Sequence, residues 1–212
     1  MQVVLATRNV HKIREICRLL QGVDVEVLSF RDFDDLPEVV EDGETLEANA
    51  IKKAETIAAV TGLPTLADDT GLEVSGLDGA PGVLSARYAG ARASYEDNNA
   101  KLLEALDGAD ALDRRAAFRC IVALAVPGEE TVTVEGRTDG AILEERRGRA
   151  GFGYDPIFLP DGHDVTYAEM TEDAKNAVSH RGKAVRAAIE LVRRRLPGSA
   201  SREAPGTDSS AA

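Results

Sequence analysis

Apolar residues recur at strand or helix spacing along most of this chain, and its first part predicts strands that alternate with helices. Residues 3–6 form a short apolar run, which predicts a strand. The next apolar positions have the i, i+3, i+4 and i+7 spacing of one helix face, and they are Ile13, Ile16, Cys17 and Leu20. Gly22 then acts as a stop signal, and residues 23–28 alternate enough to predict a second strand.

A second helix and two short strands are predicted next. Thr45 is suited to be the N-cap of this helix, and the Gly-Leu-Pro sequence at residues 62–64 is a stop signal. Residues 65–67 and 72–74 are apolar and predict two strands. These strands flank an acidic pair at residues 68–69, and a kink at Gly71 could break the regular alternation of side chains at the end of the first strand.

The middle of the chain predicts an irregular loop, a capped helix and a hairpin. Residues 75–90 are rich in glycine and aperiodic, which is typical of a loop. Ser94 and Asp97 have capping-box spacing at the start of a helical pattern. Residues 116–126 and 131–136 are β-rich and are joined by a Pro-Gly pair, so they predict a hairpin.

The last part of the pattern completes the fold class. A turn at residues 151–156 leads into an apolar run, and a final helix carries one apolar face made of Val185, Ala188, Ile189 and Val192. Strands that first alternate with helices and later follow one another predict an α/β fold with a mixed sheet. We expect one catalytic domain over residues 1–196. Residues 197–212 lack apolar periodicity, which predicts a disordered tail.

Composition limits the classes of partner. The chain has 212 residues and a formal net charge of -12, which argues against a broad nucleic-acid surface. A small polyanion remains possible, because it responds to a local cationic pocket more than to distant net charge. No apolar run reaches the roughly 20 residues that span a bilayer. Both cysteines lie in apolar patterns and are expected to be reduced core residues of a cytoplasmic protein.

The polar loop after the first strand is a candidate phosphate site. It runs from Thr7 to Lys12 and enters the first helix, where backbone N–H groups and the helix dipole favour an anion. Asn9 adds a hydrogen-bonding side chain. The loop lacks the glycine-rich P-loop pattern. Taken alone, this segment is more often a capped helix with polar surface residues.

The acidic pair Asp68-Asp69 is a candidate magnesium site. Magnesium takes one or two carboxylates together with substrate phosphates, and a carboxylate near the ion can also deprotonate water. Successive strand side chains face opposite ways, so only one of the pair can point into a given site of a regular strand. The alternative is a solvated turn. Acidic residues between positions 38 and 47 offer a further metal ligand, and composition does not say which.

The Ser179-His180-Arg181 segment precedes the last helix and is suited to hydrogen-bond a planar polar ligand such as a base edge. A structural histidine is the equally good alternative. A serine hydrolase would need a nucleophile elbow of the G-x-S-x-G kind, and the sequence has none.

The order of these segments closely resembles the inosine triphosphate pyrophosphatase family over nearly the whole span from Val3 to about Leu196. The resemblance rests on six ordered motifs: Ala6-Thr7-x-Asn9-x-x-Lys12; Glu41-x-Gly43-x-Thr45 with Asn49-Ala50; Ala67-Asp68-Asp69-Thr70-Gly71-Leu72; Gly79-Ala80-Pro81-Gly82 with Ser85-Ala86-Arg87-Tyr88; Gly151-Phe152-Gly153-Tyr154-Asp155-Pro156; and Ser179-His180-Arg181. The departures are mild: Thr70 stands where many relatives have Ser, and Arg8 stands where Gly is also common.

The resemblance implies an elongated mixed sheet flanked by helices in two lobes, with the active-site cleft between them and usually a homodimer. It implies magnesium-dependent hydrolysis of ITP, dITP and XTP between the α- and β-phosphates. Asp69 would be the general base and a metal ligand, with Glu41 as a further metal contact and Lys53 facing the phosphates. The residues that would bind substrate are Thr7, Arg8, Asn9, Val10, His11 and Lys12 at the phosphates, Thr70, and, around the base, Phe152, Gly153, Tyr154, Asp155, Lys175, His180 and Arg181.

Two other functions fit the same motifs. One is a related pyrophosphatase for modified pyrimidine triphosphates. The other is a nucleotide sensor that kept the pocket without turnover, although the intact acidic pair argues against it. A purine substrate agrees with the chemistry of the residues that the resemblance places around the base. Phe152 could stack on a base, and donors from His180 or Arg181 would match a 6-oxo group.

Overall fold

The apolar runs of the sequence form seven strands and five α-helices in the computed structural model, which describes residues 1–196. The predicted tail, residues 197–212, lies outside the described residues. The strands are β1 (Gln2–Leu5), β2 (Glu26–Leu28), β3 (Thr65–Val74), β4 (Pro81–Gly82), β5 (Arg115–Ala125), β6 (Val132–Ile142) and β7 (Phe158–Pro160). The helices are α1 (Val10–Leu19), α2 (Leu46–Thr61), α3 (Tyr95–Ala105), α4 (Glu172–Val178) and α5 (His180–Arg195).

The sheet is mixed, as the sequence predicts. Its strand order is β2-β1-β3-β5-β6-β7, and the short β4 pairs with β3. β1 runs parallel to β2 and to β3, and these strands are connected through helices. From β3 to β7 every pair is antiparallel, which suits hairpins and short returns. The predicted hairpin of β5 and β6 is confirmed, although β6 continues to Ile142 rather than ending near residue 136. The short helix α4 has no counterpart among the predicted elements.

The prediction of two strands around the acidic pair is wrong, because β3 is one strand that passes through it. Its ladder with β5 continues without interruption from Thr65 opposite Ala125 to Val74 opposite Ala116. Gly71 lies inside this ladder and does not end it. A Cβ on Gly71 would come within 2.7 Å of the carbonyl oxygen of Gly82 on β4, so glycine is required there for close strand approach.

The helix caps that the sequence predicts are present. The Thr45 hydroxyl accepts a hydrogen bond from the backbone N–H of Ala48. Ser94 and Asp97 form a reciprocal capping box at α3. Such caps satisfy backbone donors that the first turn leaves free, and they therefore set where each helix begins.

Three buried apolar clusters surround the sheet. The first packs one face of β1, β3 and β5 against α1 and α5, and it includes Leu66. The second packs the opposite face against α2 and includes Ala67. The third surrounds the far halves of β3 and β5 and includes Leu72 and Val74. The polar residues 68–70 therefore lie on the shared strand, between the core of one lobe and the core of the other.

Candidate active site

A cavity of about 720 Å³ opens where the two lobes meet, which is a volume typical of small-molecule sites. Fourteen of the residues expected to bind substrate or metal line it, namely Thr7, Arg8, Asn9, Lys12, Glu41, Asp69, Thr70, Phe152, Gly153, Tyr154, Asp155, Lys175, His180 and Arg181. Val10 and His11 do not line it. Val10 is 57% exposed, so its side chain faces solvent beside the loop.

The cavity is cationic although the whole chain is acidic. Six lysine and arginine side chains line it, against four carboxylates. The cations are Arg8, Lys12, Lys53, Arg87, Lys175 and Arg181, and the carboxylates are Glu38, Glu41, Asp69 and Asp155. A local excess of positive charge is what a polyanionic ligand requires.

The acidic pair is divided between the two faces of β3. Asp69 lines the cavity, whereas Asp68 faces the side of the first apolar cluster and is 1% exposed. This division follows from the regular alternation of side chains along a strand. The two carboxylates therefore have different surroundings and different chemistry.

Asp68 is held ionised by buried cations. Its Oδ2 lies 3.0 Å from Lys12 Nζ and 3.4 Å from Arg181 Nε, and it accepts a hydrogen bond from Thr70 Oγ1 at 3.2 Å. Burial opposes ionisation of Asp68, but the charges of Lys12, Arg181 and Lys53 outweigh it and hold its pKa well below the usual range. Asp68 therefore orients two cations and is a poor proton acceptor.

Asp69 has the opposite electrostatic character. Asn49 Nδ2 donates to its Oδ2 at 3.1 Å, and Lys53 Nζ lies 3.6 Å from its Oδ1. Burial raises the pKa of Asp69, with a further contribution from the negative charge of Glu41, and the nearby lysines do not cancel the effect. A carboxylate with a raised pKa that faces a ligand cavity is suited to accept a proton from water.

Lys53 connects Asp69 to Glu41. Its Nζ contacts Glu41 Oε1 at 2.6 Å and donates to the backbone oxygen of Asp68 at 2.7 Å. Burial disfavours the Lys53 charge, yet Asp69, Asp68 and Glu41 together raise its pKa. A buried lysine that stays charged beside the phosphate loop can neutralise a polyanion.

Asp69 and Glu41 are carboxylates of the cavity wall that could hold a metal ion. Within residues 1–196, no three His, Cys, Asp or Glu side chains are grouped to hold a metal ion. Magnesium takes one or two carboxylates and fills its other positions with water and phosphate oxygens. Asp69 and Glu41 both line the cavity and both contact Lys53, so these two carboxylates could contribute oxygen ligands to a metal ion there.

The loop before α1 has the geometry of a capped helix. The Asn9 side chain accepts hydrogen bonds from the backbone N–H groups of His11 and Lys12. Arg8 donates to the backbone oxygen of Leu36 at 3.0 Å, and its guanidinium lies 4.2 Å from the centre of the Phe30 ring. Arg8 thus anchors the segment that carries Glu41, while Lys12 lies deeper in the site.

The loop that carries Phe152 wraps around a buried carboxylate. Gly151 and Gly153 have φ values of +74° and +63°, which favour glycine on both sides of Phe152. The backbone N–H of Phe152 donates to Asp155 Oδ2 at 2.8 Å, and a Cβ on Gly151 would collide with the same oxygen. Asp155 in turn contacts Lys175 Nζ at 2.6 Å. The conformation of the loop is therefore determined by Asp155.

Glu15 on α1 holds the two buried cations of this region together. It accepts hydrogen bonds from Lys175 Nζ, at 2.8 Å, and from Arg181 Nη1. Burial opposes its ionisation, but Arg181 and Lys175 lower its pKa. The sequence did not predict a role for Glu15. Its partners are more than 150 positions away, and it lies outside the apolar face of the first helix, where a solvent-exposed charge is expected.

His180 is a neutral, buried side chain of the cavity wall. Its ring stacks on Phe118 with 4.4 Å between centroids and 12° between planes. Burial and the positive charges of Arg181 and Lys175 lower its pKa well below the usual value. Its Nδ1 is buried and has no hydrogen-bond partner among the described residues.

Tyr95, Arg87 and Glu38 also line the cavity, and sequence reasoning assigned none of them a role. Arg87 donates to the backbone oxygen of Glu41 at 3.0 Å. Asn99 lies behind the wall and donates to the backbone oxygen of Gly153 at 2.9 Å. The Ser-Ala-Arg-Tyr motif contained a signal for Arg87, whereas Asn99 lies within a plain amphipathic helix pattern.

A mixed sheet whose central strand brings a buried carboxylate to a cationic, nucleotide-sized cleft defines an α/β protein with a site suited to a polyanionic ligand. The model of the Ham1 family matches residues 3–191, and the chain belongs to this family. The dITP/XTP pyrophosphatase of Geobacter sulfurreducens is 54% identical over 184 residues, covering 87% of this chain and 92% of that protein. The Bacillus subtilis dITP/XTP pyrophosphatase is 44% identical, covering 90% and 96%.

Solved structures agree with the fold. A HAM1 protein from Coxiella burnetii superposes with a TM-score of 0.84 at 41% identity, covering 92% of this chain and 99% of that one. A nucleoside-triphosphatase / dITP/XTP pyrophosphatase from Mycobacterium abscessus superposes with a TM-score of 0.73 at 44% identity, covering 89% and 98%. The predicted α/β class and family are therefore confirmed.

Proposed function

We propose that this chain hydrolyses non-canonical purine nucleoside triphosphates, namely ITP, dITP and XTP, to the monophosphate and pyrophosphate. The observation that carries this proposal is that Asp69 lines one cleft together with Lys12 and Lys53, which we assign to the phosphate end, and with Phe152 and Lys175, which we assign to the base end. A triphosphate at the first end and a purine at the second place the α-phosphate near the carboxylate. Relatives that cover nearly the same length carry the name dITP/XTP pyrophosphatase.

In the proposed reaction, Asp69 accepts a proton from water while the water oxygen bonds to the α-phosphorus. The bond between this phosphorus and the bridging oxygen breaks, and pyrophosphate leaves with that oxygen. Lys12 and Lys53 stabilise negative charge on the phosphates, and Asp68 keeps Lys12 in place at 3.0 Å. We further propose that Asp69 and Glu41 hold Mg²⁺, which when bound supplies positive charge to the phosphate oxygens.

At the other end of the cleft, Phe152 offers a ring for base stacking, and Lys175 is the better of two polar candidates for the base edge. Lys175 donates two of its three hydrogen bonds, to Glu15 and Asp155, and keeps the third. Arg181 is engaged by Glu15, Asp68 and Thr70, which makes it a weaker candidate than the resemblance implied. A free donor from Lys175 matches the 6-oxo group of hypoxanthine or xanthine and meets an unmatched donor in adenine.

The decisive experiment is a substrate panel with separate detection of pyrophosphate and orthophosphate. We expect magnesium-dependent release of pyrophosphate from ITP and XTP, much faster than from ATP or GTP. Preference for dUTP or methylated pyrimidine triphosphates would favour the pyrimidine enzyme. Orthophosphate release, or equal turnover of ATP, would refute the proposal.

Asp69→Asn tests the catalytic role directly. A general base contributes about 10²- to 10⁴-fold, so kcat should fall by that factor while the fold is retained. Asp161→Asn, at an exposed ion pair with Arg115, is the matched control and should keep full activity. Bound nucleotide without turnover in the unaltered protein would instead indicate a nucleotide sensor.

The homodimer stays a prediction from the family resemblance, and the cytoplasmic location stays a prediction from the composition and the cysteines. Sedimentation of the purified chain would test the first, and cell fractionation the second. No helix in residues 1–196 is long and apolar enough to cross a membrane.

A further inference from the structure

His11 makes aromatic contacts that its place in the phosphate loop does not suggest. It lies in the first turn of α1, immediately before Lys12, and its side chain is exposed. Its ring stacks on Phe152 with 5.0 Å between centroids and 17° between planes. Tyr95 packs edge-on against His11, with 6.3 Å between centroids, and at a tilt against Phe152, with 5.9 Å between centroids.

Phe152 connects this exposed cluster to the interior of the site. Lys175 Nζ lies 4.8 Å from the centre of its ring and Arg181 Cζ lies 5.3 Å away. The backbone of Phe152 is determined by Asp155, as described above, but a backbone hydrogen bond does not fix the ring. His11 and Tyr95 are the aromatic side chains that contact this ring within the described part of the chain.

These contacts also join the two ends of the cleft. The first turn of α1 carries both Lys12, which lines the cavity, and His11, which does not. His11 contacts Phe152 in the loop that is proposed to bind the base. A second link crosses at the same place, because Asn9 Nδ2 lies 3.3 Å from the Tyr95 hydroxyl. The loop before α1 and the first turn of this helix therefore contact Phe152 directly through His11, and they reach the same ring through Asn9 and Tyr95.

We propose that His11 is a positioning residue for Phe152 and sets the affinity of the site for the nucleobase, with no direct role at the phosphates. This assignment rests on the proposed function and differs from the role that the family resemblance implied for position 11. His11 acts by restricting the Phe152 ring to one orientation, which lowers the entropy lost when a base stacks on it. Its contribution is that of one aromatic pair.

The test compares a ligand that has a base with one that has none. Inhibition constants of IMP and of inorganic tripolyphosphate are measured against ITP turnover for the unaltered protein and for His11→Ala. We expect the constant for IMP to rise about two- to tenfold, which corresponds to the loss of one aromatic pair. The constant for tripolyphosphate should stay unchanged, and kcat should stay within about twofold of its original value.

Two further variants separate positioning from simple loss of structure. His11→Phe keeps a stacking ring and should restore IMP affinity. His163→Ala removes a histidine from the turn after β7, away from the cavity lining, and should change neither constant.

A double-mutant cycle with Phe152→Leu identifies the path of the effect. If His11 acts through Phe152, His11→Ala should have no further effect on IMP affinity once Phe152 is replaced. Additive effects, an unchanged IMP constant in His11→Ala, or an equal loss of tripolyphosphate affinity would each overturn the assignment. Failure of the proposed function would look different, because the unaltered protein would then release no pyrophosphate from any purine triphosphate.

Discussion

Replacing Asp68 by Asn should destabilise the protein far more than the loss of an exposed ion pair does. The substitution keeps the shape of the side chain but removes a carboxylate that is 1% exposed and lies 3.0 Å from Lys12 and 3.4 Å from Arg181. Removing one partner of a buried pair leaves an uncompensated charge and costs about 3–5 kcal/mol. For a chain of this size, that cost lowers Tm by roughly 6–20 °C.

The assay is thermal and urea unfolding at pH 7, with Asp161→Asn as the matched control. The Asp161 pair with Arg115 has side chains 53% and 43% exposed, and exposed pairs contribute about 1 kcal/mol or less. Tm should therefore fall by no more than about 4 °C in the control. Equal losses in the two variants, or a fall of less than about 3 °C in Asp68→Asn, would refute the reasoning.

The dependence of this difference on pH follows from the direction of the pKa shift. The pKa of Asp68 is lowered in the folded state, so its stabilisation is fully present above the unfolded value of about 3.9. It is lost as the pH falls through the folded value. The stability gap between the unaltered protein and Asp68→Asn should stay constant from pH 7 to pH 5 and shrink only below about pH 4. A gap that closes by pH 5 would contradict the assignment of a lowered pKa.

Three further predictions concern the other residues of the site. Burial raises the pKa of Asp69, and the base works when ionised, so kcat/KM should fall as the pH decreases through a value above about 3.9; a rate that stays flat to pH 3.5 would contradict this. Asn99→Asp places an oxygen against the Gly153 carbonyl, so the free energy of unfolding in urea should fall by about 1–3 kcal/mol and IMP should bind more weakly. Unchanged values would show that Asn99 does not stabilise the loop that carries Phe152. Gly151→Ala adds a Cβ that collides with Asp155 and should cost more stability than Gly128→Ala, where φ is also positive but nothing lies within 4 Å; equal costs would show that the collision is relieved.

The sequence alone determined most of the local structure and the composition of the site. The caps at Thr45 and Ser94 and the apolar faces of the helices depend on residues three or four positions apart, so they can be recognised along the chain. The alternation rule predicted that only one carboxylate of the acidic pair faces a given site unless Gly71 kinks the strand, and the structure keeps the strand regular. Six ordered motifs then predicted the family, because their joint order is far more specific than any one of them.

The tertiary structure decided which carboxylate faces the cavity and what supports it. β3 continues through the acidic pair because β5 pairs with every residue of β3. Strand pairing joins segments that are distant in sequence, so a local pattern does not reveal it. Glu15 joins Lys175 and Arg181 from positions 160 and 166 residues away. His11 lies in the phosphate loop by sequence yet contacts Phe152, because the direction of a side chain depends on how the helix packs. Short-range order follows from the chain, whereas charge pairing and ring stacking across the cleft follow only from its folding.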